Sequence, residues 1–154
     1  MSATPVPHLN LTGEARAALD FYAAAFGGEA VVRTYGDFGM PAGLPDTDKV
    51  VFGQVVARDG FTVMAYDVPG GATGPIPGST RREHGTTITD QPFFLALSGA
   101  SLEEATGWWD ALLDGATVVE PLAASAWSAG FGMLTDRFGV TWSISVVDPR
   151  QAQG

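Results

Sequence analysis

Apolar residues recur along two segments at the spacing of an amphipathic α-helix. The first stripe consists of Ala15, Leu19, Tyr22 and Phe26. The second consists of Leu102, Ala105, Trp109, Leu112 and Leu113. Gly27-Gly28 ends the first segment, and Asp114-Gly115 ends the second. Ser101 followed by Glu104 has the spacing of a capping box, so the sequence predicts two helices of about three turns each.

The remaining segments are rich in residues that favour β-strands. The clearest is the last, where Val140, Trp142, Ile144 and Val146 alternate with small polar residues, a pattern typical of a strand with one apolar face. The same criteria predict strands near residues 6–11, 29–36, 49–58, 60–67, 92–98, 116–122, 130–135 and 139–147.

The order of strand, helix and three strands occurs twice, and residues repeat with it. Tyr22 and Gly28 align with Trp109 and Gly115, 87 positions later. Phe52-Gly53 aligns with Phe131-Gly132, 79 positions later. The sequence therefore predicts one domain over residues 1–154, built of module one (5–68), a long Gly/Pro/Ser/Thr-rich linker loop (69–91) and module two (92–147).

Several short motifs accompany this repeat. They are Pro7-His8-Leu9-Asn10, Phe21-Tyr22, Phe26-Gly27-Gly28, Tyr35-Gly36-Asp37, Pro92-Phe93-Phe94-Leu95, Trp127, Phe131-Gly132-Met133 and Thr135-Asp136-Arg137-Phe138-Gly139-Val140. With them, residues 5–147 resemble the vicinal oxygen chelate superfamily of glyoxalases, extradiol dioxygenases and bleomycin-resistance proteins, and within it the PhnB-like group. The resemblance implies an α+β fold, in which tandem βαβββ modules form a curled eight-stranded mixed sheet around a cleft, with the helices on the convex face.

In the enzymes of that superfamily, the first and fourth strands of each module supply the metal ligands. The resemblance carries these positions onto His8, Met64, Phe94 and Ser143. A thioether, a phenyl ring and a hydroxyl do not complete a site for a divalent cation around one imidazole, and a shift of one residue offers nothing better. We therefore expect no metal and no other cofactor.

The alternation of the strands also predicts which residues line the cleft. The expected lining is mostly apolar with scattered neutral polar groups, as in many small-molecule pockets. The candidate ligand-binding residues are His8, Asn10, Tyr35, Asp37, Phe52, Gln54, Met64, Tyr66, Phe94, Trp127, Phe131, Met133 and Ser143. A filled core without a function would have the same composition.

Four of the polar and aromatic residues admit two interpretations each. His8 is a candidate general base, or a hydrogen-bonded buried imidazole. Asp37 is a cleft carboxylate or a turn residue, and Trp127 stacks on a flat ligand or packs in the core. His84 follows Glu83 in the linker, where a solvated surface pair competes with a catalytic dyad.

Composition excludes several classes of function. The 154 residues contain no cysteine, which removes disulfides and thiolate chemistry. A net charge of -9 opposes binding to nucleic acid or to anionic membranes. No apolar run reaches the length of a membrane span and no signal-peptide pattern opens the sequence, so we expect a cytoplasmic protein. Relatives in the superfamily pair as homodimers, and exposed sheet edges would favour the same state here.

Three functions follow as alternatives. The first is a metal-free PhnB-like protein that binds a small molecule, with or without a reaction at His8. The second is an acidic protein of the bleomycin-resistance type, which sequesters a cationic drug. The third is a metal-dependent glyoxalase- or dioxygenase-type enzyme with rearranged ligands. A methyltransferase activity is not favoured, because the sequence lacks a Gly-rich strand–turn–helix for a nucleotide cofactor.

Overall fold

A computed structural model describes residues 3–58 and 60–148. These residues form an α+β fold with two α-helices, α1 (Ala15–Phe26) and α2 (Leu102–Leu112), and one 3₁₀ turn (Gly36–Phe38). The strands are β1 (His8–Leu11), β2 (Glu29–Thr34), β3 (Val50–Val56), β4 (Thr62–Asp67), β5 (Thr80–Glu83), β6 (Thr86–Thr89), β7 (Leu95–Gly99), β8 (Thr117–Ala123), β9 (Phe131–Thr135) and β10 (Thr141–Val146). The tandem βαβββ order is confirmed. None of the helices in the described part of the chain is long and apolar enough to cross a membrane.

The chain divides into two compact units, with the boundary between Ile76 and Pro77. In the first unit, the strands pair in the order β1-β4-β3-β2, with β1 parallel to β4 and the other pairs antiparallel. One face of this sheet is covered by α1. The core between them contains Leu9, Leu11, Leu19, Tyr22, Val55, Val63 and Ala65.

A buried carboxylate joins α1 to its sheet. Glu14, at the N-cap of α1, makes no side-chain cap. Instead, Asp67 at the end of β4 accepts the amide of Ala15 at 3.0 Å and the amide of Val50 at 2.9 Å. Asp67 therefore satisfies one of the free donors in the first turn of the helix.

The second unit repeats this arrangement. Its main sheet has the order β7-β10-β9-β8, again with one parallel pair, and α2 packs on β7 and β10. The predicted capping box is present, because Ser101 Oγ accepts the amide of Glu104 and the Glu104 carboxylate accepts the amide of Ala100. Trp142 and Ile144 are fully buried beneath the helix.

The glycines of the two repeated Phe-Gly pairs, Gly53 and Gly132, lie where a helix packs closely on its sheet. A Cβ on Gly53 would collide with Leu19 of α1, and a Cβ on Gly132 would lie 2.9 Å from Trp109 of α2. In both units the missing side chain lets the helix approach the sheet closely.

The alignment of the repeat after each helix is wrong by one residue. In the first unit, Glu29 pairs with Val56. The residue equivalent to Val56 in the second unit is Thr135, and it pairs with Thr117. Thr117 lies 88 positions after Glu29, whereas the sequence alignment predicts an offset of 87. The difference arises at the helix ends. Left-handed Gly27 follows α1 directly, whereas two residues separate α2 from left-handed Gly115.

The segment predicted as a long linker loop contains regular structure. β5 and β6 form an antiparallel hairpin, in which Glu83 pairs with Thr86 across a two-residue turn. His84 and Gly85 occupy this turn with φ values of 51° and 77°, as a type I′ turn requires. Thr80 before the turn and Thr86, Thr87, Ile88 and Thr89 after it are strand-forming residues, but the Gly/Pro-rich composition of the whole segment favours a loop.

Candidate functional site

Alternate residues of the first sheet point away from α1, and we call this surface open face 1. His8 pairs with Met64, and Met64 pairs with Gln54, so these three side chains form one row across the sheet. The strand parity predicted from the sequence is therefore correct in this unit. Open face 1 carries the candidate residues His8, Asn10, Phe52, Gln54, Met64 and Tyr66.

His8 lies at the exposed end of this row. Its Nδ1 is 3.1 Å from the Asn10 amide oxygen, and its ring meets Tyr66 edge-on at a centroid distance of 5.4 Å. His8 and Asn10 are both exposed. The interpretation of His8 as a buried imidazole is thus wrong, while a role as a base on the open face stays a prediction.

Tyr35 and Asp37 are occupied by local structure. The Tyr35 hydroxyl donates to the Asp67 carbonyl at 2.7 Å, and burial, helped by the nearby Tyr66 and Asp67, raises the pKa of Tyr35. Asp37 accepts the amide of Thr34 at 2.8 Å, and the Thr34 hydroxyl accepts the amide of Asp37. This backbone bond lowers the pKa of Asp37. Of its two interpretations, the geometry favours the turn residue.

A cavity of about 650 Å³ adjoins open face 1. Its wall contains Val31, Gln54 and Val56 on the sheet, and Arg58 beyond the end of β3. Val31 and Val56 are between two-fifths and half exposed, so the cavity is an open, largely apolar depression, and Glu29 and Arg58 bring one acid and one cation to its edge.

The surface of the second sheet away from α2 is open face 2. Ser143 pairs with Met133 on one side and with Ala96 on the other. Phe131 lies two residues from Met133, opposite Ser145 and Ala123. The candidates Phe131, Met133 and Ser143 thus share one face, as predicted. Phe94 falls one residue before β7 begins.

The β5–β6 hairpin covers part of open face 2. Thr87 donates its hydroxyl hydrogen to Met133 Sδ at 3.6 Å, and Met133 is only 2% exposed. At the base of the hairpin, the Thr141 hydroxyl donates to Gln91 Oε1 at 2.6 Å, and Gln91 Nε2 donates to the Gly139 carbonyl. These contacts hold the hairpin against the sheet.

A second cavity, of about 460 Å³, lies where the hairpin meets β8 and β9. Arg82 of β5 reaches into its wall, 3.8 Å from the Glu120 carboxylate and 5.2 Å from the centre of the Phe131 ring. Ser125 and Ser128 also line this cavity. The sequence prediction missed Arg82 and Glu120, because only the tertiary structure brings the linker onto open face 2.

Trp127 and His84 lie outside any packed core. Trp127 is 91% exposed in the loop between Ser125 and Ser128, which excludes the core-packing interpretation. Stacking on a flat ligand stays a prediction, and Trp127 is not among the residues that line the second cavity. His84 is an exposed residue of the hairpin turn. Glu83 bonds to Arg81 rather than to His84, so the geometry favours a solvated surface over a dyad.

The positions that hold metal in the superfamily do not fit a divalent cation. In the first unit, the candidate metal positions His8 and Met64 are paired across neighbouring strands. In the second unit, Ser143 is equivalent to Met64 and pairs with Ala96. Ala96 is therefore the residue equivalent to His8, and the assignment of this position to Phe94 is two residues off. His8 with a thioether, and a serine with a methyl group, offer too few donors in either unit. Within residues 3–58 and 60–148, no group of three or more His, Cys, Asp or Glu side chains is placed to hold a metal ion.

The sequence matches one protein family over nearly its whole length. The family is described as the Glyoxalase/Bleomycin resistance protein/Dioxygenase superfamily, and its model matches residues 6–144. Protein YjdN from Escherichia coli (strain K12) is 25% identical over 157 residues, which cover 96% of this chain and 97% of that protein.

Solved structures of similar proteins share the fold. The crystal structure of protein PA1353 from Pseudomonas aeruginosa has 31% sequence identity and a TM-score of 0.73, covering 94% of this chain and 98% of that one. A putative 3-demethylubiquinone-9 3-methyltransferase, PhnB protein, from Bacillus cereus has 20% identity and a TM-score of 0.67, covering 94% and 100%. At that identity the second likeness bears on the fold alone.

Proposed function

Because the chain belongs to the glyoxalase/bleomycin resistance protein/dioxygenase superfamily, we propose that it binds a small molecule without the divalent metal of the superfamily enzymes. The observation that carries this proposal is the cavity on open face 2. It combines an aromatic wall at Phe131 with a few polar side chains, and its volume of about 460 Å³ falls in the range of small-molecule sites.

A ligand screen tests the binding. We expect compounds from a library of small metabolites to raise the melting temperature of the purified protein, since a ligand that binds only the folded state stabilises it. Phe131→Ala should reduce the shift. Phe93→Ala is the matched control, because Phe93 is 55% exposed and does not line the cavity. The proposal fails if no compound in a broad library binds.

Metal independence is tested separately. The support for it is the donor chemistry of His8, Met64, Ala96 and Ser143 given above. We expect protein purified without chelator to carry substoichiometric metal, and ligand binding to survive dialysis against a chelator. A stoichiometric divalent ion, or binding that returns only on adding Mn²⁺, Fe²⁺ or Zn²⁺, would instead support the metal-dependent enzyme with rearranged ligands.

Sequestration of a cationic drug is the second candidate. The net charge of -9, Glu120 in the cavity wall and the exposed Trp127 favour it. Titration with ethidium, a planar cation, distinguishes the two functions. Tight binding that quenches tryptophan fluorescence, and that is weakened by Glu120→Gln, would support sequestration.

We also propose a cytoplasmic homodimer. Each four-stranded sheet ends in edge strands, β1 and β2 in the first unit and β7 and β8 in the second, and an unpaired edge is a ready surface for association. Light scattering coupled to size exclusion should then give twice the chain mass of 16.0 kDa. A monomer at micromolar concentration would contradict this part of the proposal.

A further inference from the structure

The guanidinium of Arg82 lines the second cavity with bonding capacity to spare. Its Nη1 donates to the Thr87 hydroxyl at 2.9 Å, and its central carbon lies over the Phe131 ring, 5.2 Å from the ring centre. Its Nε is buried and has no hydrogen-bond partner among the described residues. Buried polar groups are nearly always paired, so an unpaired Nε beside the cavity calls for an explanation. Because Nε has almost no accessible surface, a ligand in the cavity would meet the other N–H groups of the Arg82 guanidinium first.

Glu120 does not supply the missing hydrogen bond. Its carboxylate oxygen is 3.8 Å from Arg82 Nε, which is within ion-pair range but longer than a hydrogen bond. The Glu120 side chain is 43% exposed and the Arg82 side chain is 22% exposed, so the acid is the more solvated partner of the pair. The charge of Arg82 is therefore only partly compensated by its own protein.

Two serines present further donors in the same cavity. Ser125 Oγ accepts the amides of Trp127 and Ser128, and Ser128 Oγ accepts the amide of Gly130, each at 3.2 Å. A hydroxyl that accepts from amides retains its own hydrogen for donation. Among the described residues no acceptor takes either hydrogen. One cation and two hydroxyl donors thus line a single cavity.

We propose that this cavity binds the carboxylate of a small apolar monoanion, with the carboxylate at Arg82 and the apolar body against Phe131. Arginine favours carboxylates because its planar fork offers parallel N–H donors. Pro121, Ala123 and Ala124 complete an apolar wall for the body of the ligand. The inference rests on the proposed small-molecule function and assigns it a ligand class.

The charges in the cavity favour a monoanion over a dianion or a cation. Among the described residues that line the cavity, Arg82 is the only cation, and Glu120 already lies beside it. A second negative charge on the ligand would face Glu120 without compensation, and a cationic ligand would face Arg82. One carboxylate can occupy the unused donors and leave the Arg82–Glu120 pair in place.

Three isosteric probes test the charge requirement. Benzoate, benzamide and benzamidine share a flat ring and differ in charge from anion to neutral to cation. By isothermal titration calorimetry, benzoate should bind roughly tenfold or more tightly than benzamide, because charge-assisted bonds to Arg82 are lost in the amide. Benzamidine should not bind in the cavity. Equal affinity for benzoate and benzamide would overturn the inference.

Matched arginine variants locate the site. Arg82→Gln should weaken benzoate binding roughly tenfold or more, and Arg82→Lys should lie in between. Arg81→Gln removes the same charge from the neighbouring residue of β5, whose side chain is 59% exposed, and should leave binding unchanged. Equal losses in the two Gln variants would show a general charge effect and refute the site. Amide NMR shifts of the wild-type protein at Ser125 and Ser128 locate the ligand even if Arg82→Gln does not fold.

The outcomes separate this inference from the function on which it rests. If neutral or cationic library compounds bind and no carboxylate does, the inference fails and the small-molecule function stands. If neither benzoate nor any library compound binds at millimolar concentration, both fail. Benzoate shifts confined to residues far from the cavity would also overturn the inference.

Discussion

Asp136 offers a sharp test of how the second unit is held together. It lies in the turn between β9 and β10 and is 4% exposed. Its Oδ1 accepts the amides of Phe138 and Val140 at 2.9 and 3.1 Å, and its Oδ2 accepts the indole N–H of Trp142 at 2.9 Å. One carboxylate therefore fixes both the turn and the largest buried side chain of this unit.

Asp136→Asn keeps the shape but changes the donors and acceptors. The single carbonyl oxygen of Asn can still accept both backbone amides, but its NH₂ group then faces the indole N–H of Trp142, which is also a donor. The variant loses one charge-assisted hydrogen bond and leaves a buried donor unsatisfied. We expect a loss of about 3 kcal/mol in the free energy of unfolding. For a chain of this size the melting temperature should fall by roughly 6 to 12 °C.

Urea unfolding followed by far-UV circular dichroism measures the effect without depending on tryptophan emission. Asp114→Asn is the surface control, since its side chain is 83% exposed, and it should match the wild type. In a Trp142→Phe background the indole donor is absent, so Asp136→Asn should cost less there. An unchanged cost in that background, or a loss under about 1 kcal/mol in the wild type, would refute the reasoning.

Four further changes probe the first unit and the hairpin. Asp67→Asn can accept only one of its two backbone amides, so urea unfolding should show a loss of about 2 kcal/mol, and a neutral effect would contradict its role in capping α1. The pKa of Tyr35 is higher in the folded state than in the unfolded state, because burial disfavours the phenolate. The resulting stabilisation is complete below pH 10, and it is lost as the pH rises through the folded-state pKa. Tyr35→Phe should therefore flatten part of the alkaline loss of stability in pH-dependent melting curves, and an identical alkaline slope would argue against it. Gly53→Ala forces a Cβ against Leu19 and should lower the melting temperature clearly. His84→Gly should hold or slightly raise it, because Gly adopts φ near 51° without strain.

The sequence predicted those features that depend on local periodicity. The stripe of Ala15, Leu19, Tyr22 and Phe26 is buried on α1, and the alternation along β10 separates Trp142 from Ser143 as expected. These predictions succeed because burial on one face imposes a fixed period on the residues that form it.

Local periodicity does not predict which residues of neighbouring strands pair, nor which distant segments of the chain contact each other. Ala96 rather than Phe94 pairs with Ser143, because the offset between partner strands is set by pairing and not by either strand alone. Arg82 and Glu120 are nearly forty positions apart and belong to segments predicted as a loop and a strand. No local pattern indicates that the linker folds back onto open face 2, so the charged part of the cavity was missed.

The hairpin also explains why a duplicated backbone does not carry duplicated sites. Gln54 and Met133 occupy equivalent positions in the two sheets, yet Gln54 is partly exposed and Met133 is buried beneath Thr87. The strands β5 and β6 have no counterpart in the first unit among the described residues. The hairpin brings the partly buried Arg82 guanidinium to open face 2, whereas the depression beside open face 1 has Glu29 and Arg58 at its edge. Since desolvation strengthens a charge-assisted bond, a charged ligand should prefer the covered face and leave the open one to weaker, apolar contacts.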